Sequence, residues 1–195
     1  MGIFKNTYAF DDSSILKLCK IRIPDSYQIF FKESILTAKN YSKLKTFIDK
    51  LSEHNIPKFR FVPAENMEQN TIKVANQLLE GYSIQMLKNV FKVEIMDQLT
   101  GFNERIKDEF NEIQKDDDIE KIKQIFVSNP RKLSKDEDIP QDDDLKIIAG
   151  YNKYGCEGGK YLISEDEHFW GYTDLILNNF NIRVVKEWEC HLIAV

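Results

Sequence analysis

Cysteine is scarce in this chain: Cys19, Cys156 and Cys190 stand far apart and never form a Cys-x-x-Cys pair. That spacing excludes a disulfide framework and a cysteine-based zinc site, and it reads as a reducing compartment. No apolar run approaches the roughly 18 residues of a membrane span. The opening "MGIFKNTYAFDDSS" has no basic-then-apolar signal pattern, and its sixth position is Asn where a myristoylation site takes Ser or Thr. The expectation is a cytoplasmic protein with no membrane partner. Internal repeats are missing, as is low-complexity sequence beyond short Asp runs. Positive charge is also short, with 27 basic residues against 32 acidic ones and a net charge of −5. The whole-chain field therefore does not advertise a polyanion as partner. The balance is uneven, however. Residues 1–62 carry Lys5, Lys17, Lys20, Arg22, Lys32, Lys39, Lys43, Lys45, Lys50, Lys58 and Arg60 against six acids, and residues 104–144 are dominated by Asp and Glu. A basic half can still face phosphates.

What is present is enough apolar sequence, 42% of 195 residues, for one core and a single domain over residues 1–195. "NTYAFDDSSIL" reads as strand, acidic turn and helix. "YSKLKTFIDKLSEHN" has Leu44, Phe47, Ile48 and Leu51 at helical spacing, and "IPKFRFVP" alternates like a strand with one solvated face. Pro63 suits a helix's first turn, and the long apolar pattern from Ile72 to Val90 divides at Gly81. Phe102, Ile106, Phe110 and Ile113, then Ile119, Ile122 and Phe126, predict two further helices. "SNPRKLSKDEDIPQDDD" is a loop that ends in acid. The C-terminal third reads helix ("LKIIAGYNKYG"), strand ("KYLIS"), helix ("WGYTDLILNNFN"), strand ("IRVV"), an α/β layer arrangement. "GCEGGK" is glycine-rich but precedes a strand, so it is a turn and no phosphate loop.

Acids recur at the ends of these strands. Asp12, with Asp11 beside it, follows "TYAF"; Glu65 and Glu68 begin the helix after "KFRFV"; Asp144, with Asp142 and Asp143, opens "LKIIAGYNKYG"; Asp166 follows "KYLIS". In an open parallel sheet ligands bind outside the carboxyl ends of the strands, where these acids would gather. Carboxylates held together either take up protons or recruit a hard cation, and oxygen-only donors favour Mg²⁺ or Mn²⁺. Metal-assisted hydrolysis of a phosphodiester fits such a set. Each acid also has an ordinary explanation as a helix cap or first-turn residue. His168, in "SEDEHF", reads as a plain surface residue before a metal or phosphate ligand, and Glu165 and Glu167 as solvated. Arg131 and Lys132, with the N-terminal basic residues, are candidates for phosphate contacts.

"DSSIL" at Asp12–Leu16 resembles the Asp-Thr-Ser/Asn-Val-Leu signature of PIN-domain proteins, metal-dependent nucleases that include the ribonuclease toxins of toxin–antitoxin pairs. "DLKIIAGYNKYG" is similar to that family's Asp-x-x-Ile-(Leu/Ile)-Ala segment, "YLISEDEHF" to its Leu-(Val/Ile)-(Ser/Thr)-x-Asp-x-Asp-Phe, and "FVPAENMEQ" to the Val-Pro segment whose helix supplies a glutamate. The resemblance implies a three-layer α/β sandwich around a central, mostly parallel sheet; the intervals from Asp12 to Glu68 and from Glu68 to Asp144 are longer than in the family's compact toxins, and the extra length reads as an added helical insertion at about residues 100–130. It implies Asp12, Glu68, Asp144 and Asp166 as catalytic, metal-binding carboxylates for Mg²⁺ or Mn²⁺. Ser14 and Ser164 would support them, and Asp11, Glu65, Asp142 and His168 stand in reserve. His168 occupies the place of a second Asp. The implied activity is that of an endoribonuclease acting on RNA, with DNA as the other substrate, an antitoxin protein as a partner and homodimers as an assembly. The competing expectation is a PIN-like module that binds or scaffolds without catalysis.

Overall fold

The structure, a computed structural model, describes residues 6–31, 33–64, 66–82, 85–134 and 139–195; of residues 85–88 it describes the backbone alone. Lys5, Lys32 and Glu65, singled out in the sequence, lie outside the described residues.

Five short strands form the central sheet: β1 (Thr7–Phe10), β4 (Lys58–Val62), β5 (Asn111–Gln114), β6 (Lys160–Ile163) and β7 (Ile182–Val185). Their spatial order is β5-β4-β1-β6-β7 and every pairing is parallel. Strands β2 (Lys20–Arg22) and β3 (Ile35–Thr37) make a separate antiparallel pair. The chain fills the sheet outward from β1 on one side, then returns to the middle and fills the other. The order thus reverses between β1 and β6, where the loops above the two strands diverge and leave a crevice.

Alternation along the strands sorts side chains into layers. Ala9, Phe59, Phe61, Ile113, Leu162, Ile182 and Val184 pack on one face. They are covered by α5 (Glu120–Val127), α6 (Asp142–Lys153), α7 (Glu167–Trp170) and α8 (Thr173–Phe180). Tyr8, Phe10 and Ile163 point to the opposite face, onto Leu44, Phe47, Ile48 and Leu51 of α2 (Tyr41–Glu53). A third cluster joins Leu16 of α1 (Asp12–Leu16) and the small β2-β3 sheet to α3 (Met67–Leu78) and α4 (Gln85–Ile106). The layering is that of a three-layer α/β sandwich.

Gly81, at φ +91°, lies between α3 and α4, where the sequence placed a division. Such a backbone angle suits glycine because no Cβ opposes it. Three expectations are corrected. Phe110 and Ile113, read as helical, flank and occupy β5, an edge strand paired with β4; α4 ends at Ile106. Residues 100–130 therefore include a strand of the sheet and are not an appended helical hairpin. A run this short fits period two and period 3.6 equally, and the open side of β4 decides between them. β4 itself has no solvated face, since Arg60 is buried within it. Finally, α3 starts at Met67, after Pro63.

Candidate functional site

A pocket of about 580 Å³ opens at the carboxyl edge of the sheet, above the β1/β6 reversal. Asp11 and Asp12 enter it from the end of β1, and Asp166 and His168 from the segment after β6. Asp143 and Asp144 come from the first turn of α6, and Lys115 from the residue after β5. Asn66, Gln69, Asn70 and Lys73 form its α3 wall. Gln69, Asn70 and Lys73 share one stripe of the helix, and Asn66, the left-handed residue just before it, extends the wall.

The acids are held in distinct ways. Asp11 Oδ2 accepts from Ser13 Oγ at 2.8 Å and Ser164 Oγ at 3.1 Å. Ser164 Oγ also accepts the Asp166 N–H at 2.9 Å, so a single serine ties the end of β1 to the end of β6. Asp166 caps α7 by accepting the His168 N–H at 3.0 Å. Asp144 accepts the Gln141 N–H at 3.1 Å in a capping box that starts α6. His168 joins these two acids: its Nδ1 lies 3.2 Å from Asp144 Oδ2 and 3.5 Å from Asp166 Oδ1. Capping and clustering are therefore the same geometry, because a short side chain that caps a helix at a strand end already points over the strand end.

Asp12 differs from the others. It is buried, and its Oδ1 has no hydrogen-bond partner among the described residues, Arg60 Nη2 standing 3.6 Å away. Burial pushes its carboxyl up to about 7, with Asp11 adding to the rise and Arg60 opposing it. Burial likewise raises Asp144, and Asp166 adds to it against the hydrogen bond to His168. Burial would lower Lys73, but Asp11 and Asp166 outweigh it and hold the ammonium above its ordinary range. Lys73 Nζ lies 3.3 Å from Asp166 Oδ2, and Lys115 Nζ 2.7 Å from Asp143 Oδ1.

Asp12, Asp144 and Asp166 thus meet in one pocket with Asp11 and His168, while Glu68 does not line it. Glu68 is exposed in the first turn of α3, about 100° round the helix from Gln69. Asp142 is exposed and pairs with Lys123 at 2.7 Å. Ser14 turns from the pocket, its hydroxyl donating to Glu187 with the Ile163 carbonyl 3.4 Å away. Three surface expectations are corrected. His168 is buried, because Phe169 beside it enters the core and draws α7 down onto the sheet. Glu165 is not solvated; it pairs with Lys17 and accepts from Gln77 at 2.6 Å. Lys17 and Arg60 are buried among carboxylates and leave the set of surface phosphate contacts. Arg131 pairs with Asp174 at 2.7 Å.

Lys73, Lys115, Asn66, Gln69 and Asn70 were not visible in the sequence as site residues. The helical stripe of Gln69, Asn70 and Lys73 was a usable signal. Lys115 had none, since β5 was read as helix.

The donor set suits a hard cation in its chemistry: hard oxygens, more acids than bases, and a buried Asp12 oxygen without a hydrogen-bond partner among the described residues. As the side chains stand, no three acids, histidines or cysteines among the described residues form a group that would hold one ion, and two ammonium groups provide the balancing charge. Among the described residues no helix is long and apolar enough to cross a membrane. No family model, no curated protein and no solved structure matches the chain.

Proposed function

We propose that this is a PIN-like, metal-dependent phosphodiesterase, an endoribonuclease in the first instance. The observation that carries the reading is the convergence of Asp12, Asp144 and Asp166 on one pocket at the strand-order reversal. A parallel sheet ordered outward from β1 on both sides and the chain order of the three acids support the family resemblance. Asp12, Asp144 and Asp166 would hold Mg²⁺ or Mn²⁺, which would supply charge neutralisation at the scissile phosphate and a water of lowered pKa.

The chain's own residues do the positioning. Ser13 and Ser164 fix Asp11, and Ser164 fixes the backbone of Asp166, so the ends of β1 and β6 cannot drift apart. His168 holds Asp144 and Asp166 to one imidazole edge. Lys73 and Lys115 pair with Asp166 and Asp143 and so offset part of the carboxylate charge that an entering phosphate would meet. Asn66, Gln69 and Asn70 offer amide donors and acceptors along the third side.

The test is cleavage of a mixed RNA pool, and of single-stranded DNA, with and without Mg²⁺ or Mn²⁺. Wild type is expected to cleave only with metal. Asp12→Asn and Asp144→Asn should lower the rate by two orders of magnitude or more, roughly what removing a metal ligand does, with melting temperatures still showing a folded chain. Full activity in both variants would refute the reading. A second reading, a PIN-like module that binds without catalysis, is favoured by two observations: Lys73 and Lys115 already pair with Asp166 and Asp143, and Glu68 stays outside. Binding of nucleic acid with no cleavage under either metal and no divalent uptake by calorimetry would select it.

A further inference from the structure

Both tryptophans of the chain, Trp170 and Trp188, flank one ammonium. Lys186 Nζ lies 4.5 Å from the centroid of Trp170 and 5.4 Å from that of Trp188. Trp170 is the last residue of α7, and its Nε1 donates to the Glu165 carbonyl at 2.9 Å, which pins the indole against the residue before Asp166. Lys186 directly follows β7, the strand paired with β6. The Trp-Lys-Trp group therefore stands on the same carboxyl edge of the sheet as the acidic pocket, one strand outward. All three side chains are partly exposed.

The charge on Lys186 is handled unlike that of the other lysines at this edge. Lys17, Lys73 and Lys115 each sit on a carboxylate. Among the described residues Lys186 forms no ion pair, and its ammonium rests on two ring faces. A cation held by quadrupoles keeps its full charge for a further partner, whereas an ion pair spends it. Aromatic faces beside an uncompensated cation are what unpaired nucleotides need, since every base has a π-face for stacking and every residue of the strand carries a phosphate. The pair would also fasten the C-terminal segment to α7, but that task alone asks neither for partly exposed indoles nor for a lysine without a carboxylate.

We propose that Trp170, Lys186 and Trp188 form a subsite for an unpaired nucleotide of a single-stranded nucleic acid, the indoles stacking on a base and Lys186 meeting the phosphate. The choice of ligand rests on the phosphodiester reading of the adjacent pocket; the platform rests on its own geometry. The pocket would then take the scissile linkage while a neighbouring nucleotide is held outward, toward β7.

Because the chain has no other tryptophan, its indole emission reports on this corner alone. A ten-nucleotide adenylate strand, as RNA and as DNA, is titrated into the full chain at low salt in EDTA, so that no divalent metal takes part. The expected result is saturable quenching by at least one strand, with affinity falling as salt is raised. Trp188→Ala and Lys186→Gln should each bind roughly tenfold more weakly, the scale of one stacked base. Lys186→Arg, which keeps the charge over the rings, should bind like wild type, and this comparison decides the matter if Trp188→Ala does not fold. Absence of quenching by both strands, or equal affinity for wild type and Lys186→Gln, overturns the subsite. The two readings fail separately: quenching without metal-dependent cleavage defeats the active pocket and leaves the platform, and cleavage without quenching does the reverse.

Discussion

Asp12 has a carboxyl pushed up to about 7 by burial, with a neighbouring aspartate on one side and a buried arginine on the other. The pH dependence of folding follows. Below its ordinary value of 3.8 both the folded and the unfolded chain hold the proton, and above about 7 neither does. Between the two the unfolded chain gains by ionising while the folded chain does not, so stability falls as pH rises. Melting curves of wild type and Asp12→Asn, recorded from pH 3 to 8, should therefore diverge across that window to the disadvantage of the wild type, and run parallel above it. A difference that does not change with pH would mean that Asp12 ionises freely. Lys73 offers a second test at this scale. Its ammonium occupies the neighbourhood of Asp166 that a cation would enter, so Lys73→Gln should bind Mn²⁺ several-fold more tightly in calorimetry, roughly the effect of removing one nearby like charge. Equal or weaker binding would show that the lysine does not compete with metal.

Among the elements, α6 carries the most constraint, because its first turn provides Asp143 and Asp144 while its middle lies against the chain leaving β5. A Cβ on Gly150 would stand 2.1 Å from the Gln114 carbonyl oxygen, a backbone atom. Gly150→Ala must push α6 off the sheet or shift β5, and an overpacked core typically loses about 1–3 kcal/mol. Since Lys115 lies in that contact and Asp144 in the first turn of the same helix, the same variant should also lower divalent affinity; urea unfolding and metal titration measure the two effects. Loss of neither would show that the helix has room to slide. The elements also show how far local sequence reaches. Strands β1, β6 and β7 and helices α2, α6 and α8 stood where apolar spacing placed them. β5 did not, because four residues with a single inward apolar side chain, Ile113, carry no periodicity of their own.

At the scale of the whole molecule, the two ends of the chain are joined by buried charge. Lys17 Nζ lies 2.8 Å from Glu187 Oε2 and also pairs with Glu165. Asn40 donates to Glu187 at 3.3 Å, and Ser14 donates to its other oxygen. Burial raises the Glu187 carboxyl, and Glu165 adds to the rise against Lys17. Removing only the lysine strands a fully buried carboxylate, so Lys17→Met should cost about 3–5 kcal/mol in chemical denaturation, and the double change Lys17→Met with Glu187→Gln should recover part of it. Additive losses would mean that the two groups do not depend on each other. The network borders the pocket through Glu165, the neighbour of Asp166, and so ties the C-terminal segment to the site.

Local sequence was enough for the α/β class, for Asp12 and Asp166 at strand ends and Asp144 at a helix start, and for the division at Gly81. Period, capping preference and backbone angle are local properties, written within a few residues of where they act. Long-range packing, in contrast, makes β5 a strand, buries His168 and Arg60, puts Lys73 but not Glu68 in the pocket, and rests Lys186 between the two indoles. Each of these depends on what another part of the chain brings alongside: an open sheet edge, a core that draws Phe169 inward, the rotation of α3 against α1, the pairing of β7 with β6. Contacts of that kind are set by packing between segments far apart in sequence, and local spacing does not encode them.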